Sequence, residues 1–261
     1  MRAHRKAGGK RKCIWQFAFA MVALAGGAEA ARADVHDLQE GLPLEVEDTQ
    51  TAGEKQMQLQ TYLRYEVSDD GEDRGELVPQ LQYGFTERLH VEASYPVFMG
   101  SDDRSGSGDV QVGAVYRFFD ETENLPSMAV KARFDLPTGV NSDGFDTTAI
   151  FIASRSLTDE ETEDRLHLNL GWEHNMAAES NERANRFFAI VGYSRKLNEN
   201  TVFAADIIRE QQIGEGQDST ILEGGILHQL NEHITLSAGL GVGIGDDSPD
   251  FRATVGINYS F

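Results

Sequence analysis

Cysteine is all but missing from this chain: there is one, Cys13, among 261 residues. It heads an apolar run and lacks the small-residue pattern of a lipoprotein site before it. No disulfide framework, cysteine metal ligand or lipid attachment is therefore expected. Long apolar runs are missing too. The one sustained run, Ile14 to Leu24 broken by Gln16, falls short of the ~20 residues a helix needs to cross a bilayer, so any membrane insertion must use strands. Basic residues are scarce, 23 against 43 acidic ones. Residues 1–33 hold seven of the basic residues and one acid, which leaves a net charge of −26 on the rest. Such a surface argues against direct binding of nucleic acid or acidic lipid.

What is present begins with an export signal. Arg2, Arg5, Lys6, Lys10, Arg11 and Lys12 precede the apolar run, and small residues at Ala28, Ala30, Ala31 and Ala33 place cleavage near Asp34. Residues 34–54 are acidic, contain Pro43 and keep no period. They predict a periplasmic lead-in that is either a mobile tail or tucked into a barrel. From 55 to 261, segments of about ten residues alternate apolar and polar, as membrane-spanning strands do. Leu59, Leu63, Tyr65 and Val67 make one apolar set; Leu89, Val91, Ala93, Tyr95 and Val97 another; Leu166, Leu168, Leu170 and Trp172 a third. Residues 146–155 are apolar on both faces, so their phase is open. The tally is about twelve strands, giving an all-β transmembrane antiparallel up-and-down barrel. Disorder, the other reading of so polar a composition, does not produce this alternation.

Connections alternate as well. Phe85–Leu89, Leu197–Thr201 and Leu230–Ile234 are tight turns, whereas the opposite set is long and rich in Gly and Asp. Tight turns are expected on the periplasmic side and the long loops outside. The connections 120–126 and 157–164 are longer than such turns require. In the last segment Phe251, Ala253, Val255, Ile257, Tyr259 and Phe261 share one face. This ending resembles the closing strand of a bacterial outer-membrane barrel, which implies that Tyr259 and Phe261 are read by the barrel-assembly machinery.

Charged groups cost about 2–4 kcal/mol near the middle of the lipid face, so those in strands must point inward. The lumen-lining candidates are Arg64, Glu66, Glu92, Arg117, Lys131, Arg133, Asp135, His167, Glu173, Asp206, Glu223 and Arg252. They can fill a narrow lumen with ion pairs, or line a path for a small-molecule solute, and the two are compatible. Lys131-Ala-Arg133-Phe-Asp135 is the densest run; set against Glu92, Asp109 or Glu173 it would make a constriction.

Other motifs are weaker. Gly239-Leu-Gly-Val-Gly-Ile-Gly245 has period two and no following helix to hold a phosphate, so it reads as small inward residues and not as a nucleotide loop. His167 and His174, near Asn169 and Asn175, with Ser154 and Ser156 one strand earlier, open the reading of a rim-active lipid hydrolase, but no nucleophile motif accompanies them. The acidic loop residues (Asp69, Asp70, Glu72, Asp73; Asp102, Asp103; Asp246, Asp247, Asp250) offer oxygen ligands without calcium-hand spacing, and a solvated rim is expected. No catalytic residue, metal site or cofactor is assigned.

Gly108-Asp-Val-Gln-Val-Gly-Ala-Val-Tyr-Arg-Phe118, Phe134-Asp-Leu-Pro-Thr-Gly139 and the lead-in Leu42-Pro-Leu-Glu-Val-Glu-Asp-Thr49 are similar to a proteobacterial barrel family, "Putative MetA-pathway of phenol degradation", whose members are often labelled transporter. The resemblance covers most of 40–261. It implies an outer-membrane barrel that passes small compounds, aromatic ones among them, and it assigns no binding residue. The expected function is passive diffusion of small solutes through an outer-membrane channel, with outer-membrane lipid, the assembly machinery and the solute as partners. A structural barrel with a plugged lumen and a soluble β-sandwich are the other architectures compatible with the pattern.

Overall fold

The computed structural model describes residues 37–68, 72–100, 105–140, 142, 144–158 and 163–261. The export signal expected over 1–33 and the loop acids Asp69, Asp70, Asp102 and Asp103 lie outside the described residues. Fourteen strand segments follow in chain order: β1 Met57–Val67, β2 Asp73–Thr86, β3 Leu89–Ser94, β4 Val97–Gly100, β5 Gly106–Ser107, β6 Val110–Phe119, β7 Ser127–Leu136, β8 Asp146–Ser156, β9 Arg165–His174, β10 Asn185–Asn198, β11 Thr201–Gln211, β12 Asp218–Asn231, β13 Ile234–Gly243 and β14 Phe251–Ser260. Each pairs antiparallel with its neighbours, and β14 returns to β1 through Gln58↔Ser260 to Val67↔Phe251. The sheet is thus a closed barrel. β3 with β4 and β5 with β6 each form one broken stave, so fourteen segments make the twelve strands the alternation predicts.

Period two decides which way each side chain points. On β1, Leu59, Leu63 and Tyr65 are exposed on the outside while Gln58, Gln60 and Arg64 are buried inside. On β7, Val130 and Phe134 face out and Lys131 is buried. The open phase of β8 resolves with Thr148, Ile150, Ile152 and Ser154 inward.

The segment beginning at Leu89 is not one strand through Val97. It breaks at Tyr95-Pro96, because Pro96 has no N–H for the ladder. β3 pairs with the Gln80–Thr86 part of β2 and β4 with Arg74–Leu77. Between them the Tyr95 N–H donates to the Pro79 carbonyl (3.1 Å).

Residues 37–56 enter the barrel from the tight-turn end and double back. The Leu42 N–H donates to the Gln39 carbonyl and the Gly41 N–H to the Leu44 carbonyl (both 2.8 Å), and the Asp48 N–H donates to the Leu38 carbonyl (3.0 Å). This hairpin supplies no stave to the sheet. It lies inside, with Leu38, Leu44 and Val46 packed on Ile190, Val202, Ala204, Ile208, Ile221 and Leu227 of β10–β12.

A hairpin-filled lumen as the candidate site

The inner wall carries two groups of cations, and the hairpin's carboxylates sit on both. On β7, Lys131 Nζ lies 2.5 Å from Glu47 Oε1, 3.1 Å from Glu40 Oε2 and 3.1 Å from Glu92 Oε1 of β3. Arg133 Nη1 donates to both Glu40 oxygens (3.1 and 3.2 Å), and its Nε is 3.4 Å from Asp135. At the seam of the barrel, Arg64 of β1 pairs with Glu45 and with Glu76. Arg252 of β14 reaches Glu45 (3.4 Å), Glu66 (2.7 Å) and Glu223 (3.3 Å). Lys131 and Arg252 are more than nine-tenths buried, which makes these contacts obligatory rather than decorative, since a buried charge without partners is costly.

Backbone groups of the hairpin are satisfied by the wall too. The Val46 N–H donates to Asp206 Oδ2 (2.9 Å). Asn169 accepts from the Glu47 N–H and donates to the Glu47 carbonyl, both at 2.8 Å, as a second strand would. Gln82 donates to Gln39 (2.6 Å), Thr49 and Ser127 share a hydroxyl hydrogen bond of 2.6 Å, and the Ala52 N–H donates to His90 Nδ1 (3.2 Å). Where the hairpin meets β13 and β14 the wall is glycine: a Cβ on Gly239 would lie 2.8 Å from the Pro43 carbonyl oxygen, and one on Gly256 would lie 2.1 Å from Leu42 Cδ2. Gly239 of β13 and Gly256 of β14 therefore seat the hairpin, whereas Gly241 leaves room for Glu223 and Arg252 of the wall.

Burial within a ring of acids sets the hairpin's charge. It pushes Glu47 up to about 8, with Glu40 and Glu92 adding to the rise against the pull of Lys131. For Glu40 burial also opposes ionisation, but Lys131 and Arg133 together outweigh it and hold that carboxyl far below the usual range.

The sequence-predicted residues separate by their place around the barrel. Arg64, Glu66, Glu223 and Arg252 form one cluster; Glu92, Lys131, Arg133 and Asp135 form the other. Asp206 holds the hairpin backbone, and Glu173 pairs with Arg186 (2.7 Å) on the β9–β10 wall. Arg117 lies at the tight-turn end, donating to the Glu87 carbonyl (2.9 Å) and pairing with Asp120 (3.2 Å). Of the partners considered for the β7 run, Glu92 is brought to Lys131. Asp109 instead caps a loop, accepting from the N–H groups of Thr138 and Gly139 (both 2.8 Å). His167 is bracketed by hydroxyls, Nδ1 at 2.9 Å from Ser154 Oγ and Nε2 at 3.0 Å from Ser194 Oγ, deep in the wall. His174 stacks on Trp172 and meets Asn185 (3.2 Å). Tyr259 and Phe261 are exposed on the outer face, edge to face at 5.0 Å. Among the described residues no three His, Cys, Asp or Glu side chains are grouped to hold a metal ion.

Glu40, Glu45 and Glu47 were not singled out by sequence reasoning. For Glu45 and Glu47 the signal was the short alternation Leu44-Glu-Val-Glu47, apolar to one side and acidic to the other; Glu40 lies outside it. At the long-loop end, above the hairpin, open cavities of about 530 Å³ and 450 Å³ are lined by residues such as Arg64, Glu66 and Arg252, and Phe98, Asp135 and Val140. Beside the hairpin itself the spaces shrink to about 80 and 10 Å³.

A family model described as "Putative MetA-pathway of phenol degradation" matches residues 25–261. No curated protein matches the chain. Solved structures do. A KdgM porin superposes with a TM-score of 0.54 at 12% identity, covering 77% of this chain and 99% of that one. A NanC porin gives 0.55 at 10% identity, covering 78% and 100%. The KdgM porin in complex with disordered oligogalacturonate gives 0.54 at 11%, covering 77% and 99%. At these identities the shared property is the fold, that of the porin barrels.

Proposed function

The chain belongs to the family described as "Putative MetA-pathway of phenol degradation", and from that premise we propose an outer-membrane channel for passive diffusion of small solutes, in which hairpin 37–53 sets passage. One observation carries the reading: the barrel closes through β1 and β14 without any contribution from the hairpin. The hairpin is held by side chains and a few backbone contacts to them, so it can shift while every stave keeps its ladder. The vestibules above it are of a size for small organic solutes, and the polar inner wall supplies groups for their passage. Outside, the apolar faces meet outer-membrane lipid, and Tyr259 with Phe261 serve the assembly machinery during insertion.

A second reading is favoured by the same hairpin: a structural barrel whose lumen stays plugged. The hydrolase reading has less behind it, since His167 spends both ring nitrogens on hydroxyls in a packed wall, with no carboxylate bonded to it among the described residues. Purified full-length protein in planar bilayers separates these. Discrete conductance with solute flux supports the channel; absence of both, in protein that still runs as a folded barrel on unboiled gels, supports the static plug.

A further inference from the structure

Setting the hairpin's own acids aside, the charges of the inner wall pair off on every side but one. Lys131 keeps Glu92 (3.1 Å), Arg133 keeps Asp135 (3.4 Å) and Arg64 keeps Glu76 (3.7 Å). Arg252 keeps Glu66 and Glu223 (2.7 and 3.3 Å), and Arg186 keeps Glu173 (2.7 Å). Arg74, nearer the rim, faces Glu66 across the β1–β2 ladder. β11 is different. Asp206 and Glu210 lie four residues apart on its inward face, held by the Val46 N–H and by Gln212 (2.7 Å), and neither forms an ion pair among the described residues. Asp206 is only 3% exposed, its Oδ1 has no hydrogen-bond partner among the described residues, and Glu223 stands opposite it on β12. Like charges so placed repel each other.

The charge left over in the wall is therefore negative. Water reaches Asp206 and Glu210 once the hairpin moves aside, and a hydrated carboxyl is ionised at neutral pH. A carboxylate inside a protein without a base is costly, and a passing cation lowers that cost. The approach is acidic as well. In the 530 Å³ vestibule seven acids line the wall with three arginines. The 450 Å³ vestibule is lined by Asp109, Asp135, Asp146, Glu179 and Glu182 without a base among the described residues. Glu210 borders both the larger vestibule and the space beside the hairpin, so it stands where one leads into the other. Resting on the channel reading above, we propose that the channel selects cations. The vestibule acids gather small cations and repel anions, and Asp206 with Glu210 draws the cations past the seat of the hairpin.

Ethylammonium and propionate, close in size and opposite in charge, are suitable probes. Reversal potentials of the full-length protein in neutral planar bilayers are read under gradients of potassium chloride, ethylammonium chloride and potassium propionate. Potassium and ethylammonium should be about tenfold more permeant than chloride and propionate. Salt at about 1 M screens the exposed vestibule acids, so the preference that survives there belongs to the buried strand. Asp206→Asn/Glu210→Gln should bring that remainder to within about twofold of no preference. Asparagine keeps an oxygen for the Val46 N–H, so the seat of the hairpin is retained. Glu210→Lys alone, at the vestibule floor, should shift the preference toward anions. Equal permeabilities, or a preference for anions, in wild type that conducts would overturn cation selectivity and leave the channel standing. Wild-type preference unchanged in both variants would overturn the role given to Asp206 and Glu210. No conductance of any ion, with the barrel folded on unboiled gels, overturns the channel reading itself.

Discussion

Gly239 shows how much a single atom governs here. Its missing Cβ leaves room for the Pro43 carbonyl, 2.8 Å from where that atom would sit, with Leu44 Cδ2 at 3.1 Å. Gly239→Val overpacks the seat without touching the ladder. The expected cost, about 1–3 kcal/mol to the seated hairpin, raises the unseated population by about five- to a hundredfold. Bilayer recordings should show that increase, while the gel shift of the unboiled barrel is retained. Glu47 gives a second residue-scale test. Its carboxyl is raised from 4.5 to about 8 when seated and is ordinary when the hairpin is out. Its contribution to seating is therefore complete below about pH 4.5 and lost as pH rises through about 8. Glu40 acts in the opposite sense: its contribution is present above about pH 4.5 and is lost as pH falls below that. The groups facing Glu47 are Lys131, Glu40 and Glu92, with Arg133 beside them. Conductance should climb between about pH 4.5 and about pH 8, and Glu47→Gln should flatten the profile. A wild-type profile flat over that range would remove Glu47 from the control of seating. Arg64, Lys131 and Arg252 were legible in the sequence, because a cation in a membrane strand has only one face to occupy. Glu40, Glu45 and Glu47 were not, because two apolar and two acidic residues in alternation are too short a pattern to place against a distant wall.

At the scale of elements, the two connections that looked too long have partners. The Arg155 guanidinium of β8 donates to the carbonyls of Thr122, Glu123 and Leu125, and Glu121 accepts from the Ser156 N–H (2.8 Å) and Oγ (3.0 Å). The loop 120–126 is long because it folds over the end of β8 and closes it. Tyr193 and Arg195 hold Asp164 in the same way (2.6 and 3.3 Å). Arg155→Ala should lower barrel stability by about 1–2 kcal/mol, read as a shifted urea midpoint in micelles, with conductance unchanged. An unaltered midpoint would mean the loop is not tied. Strand number, phase and closure followed from alternation, which a membrane barrel obeys on its lipid side. The break at Pro96 and the inward apolar residues Ile150, Ile190 and Ile208 did not. The break follows from the N–H that Pro96 lacks, and the inward apolar residues pack in two clusters, one under the hairpin and one formed by Val115, Ala129, Ile150 and Ile152.

The whole molecule is a closed barrel around a separate hairpin, and the proposed channel requires that hairpin to be displaceable. The most direct measurement locks that hairpin. Thr49→Cys with Ser127→Cys replaces hydroxyls 2.6 Å apart by thiols that need to approach to about 2.05 Å, a small adjustment. The sequence otherwise has only Cys13. Single-channel recording of the oxidised double variant should show conductance suppressed, restored to the wild-type level on adding reductant to the same membrane. Equal conductance before and after reduction, with the disulfide verified by mass, would contradict a hairpin that sets passage.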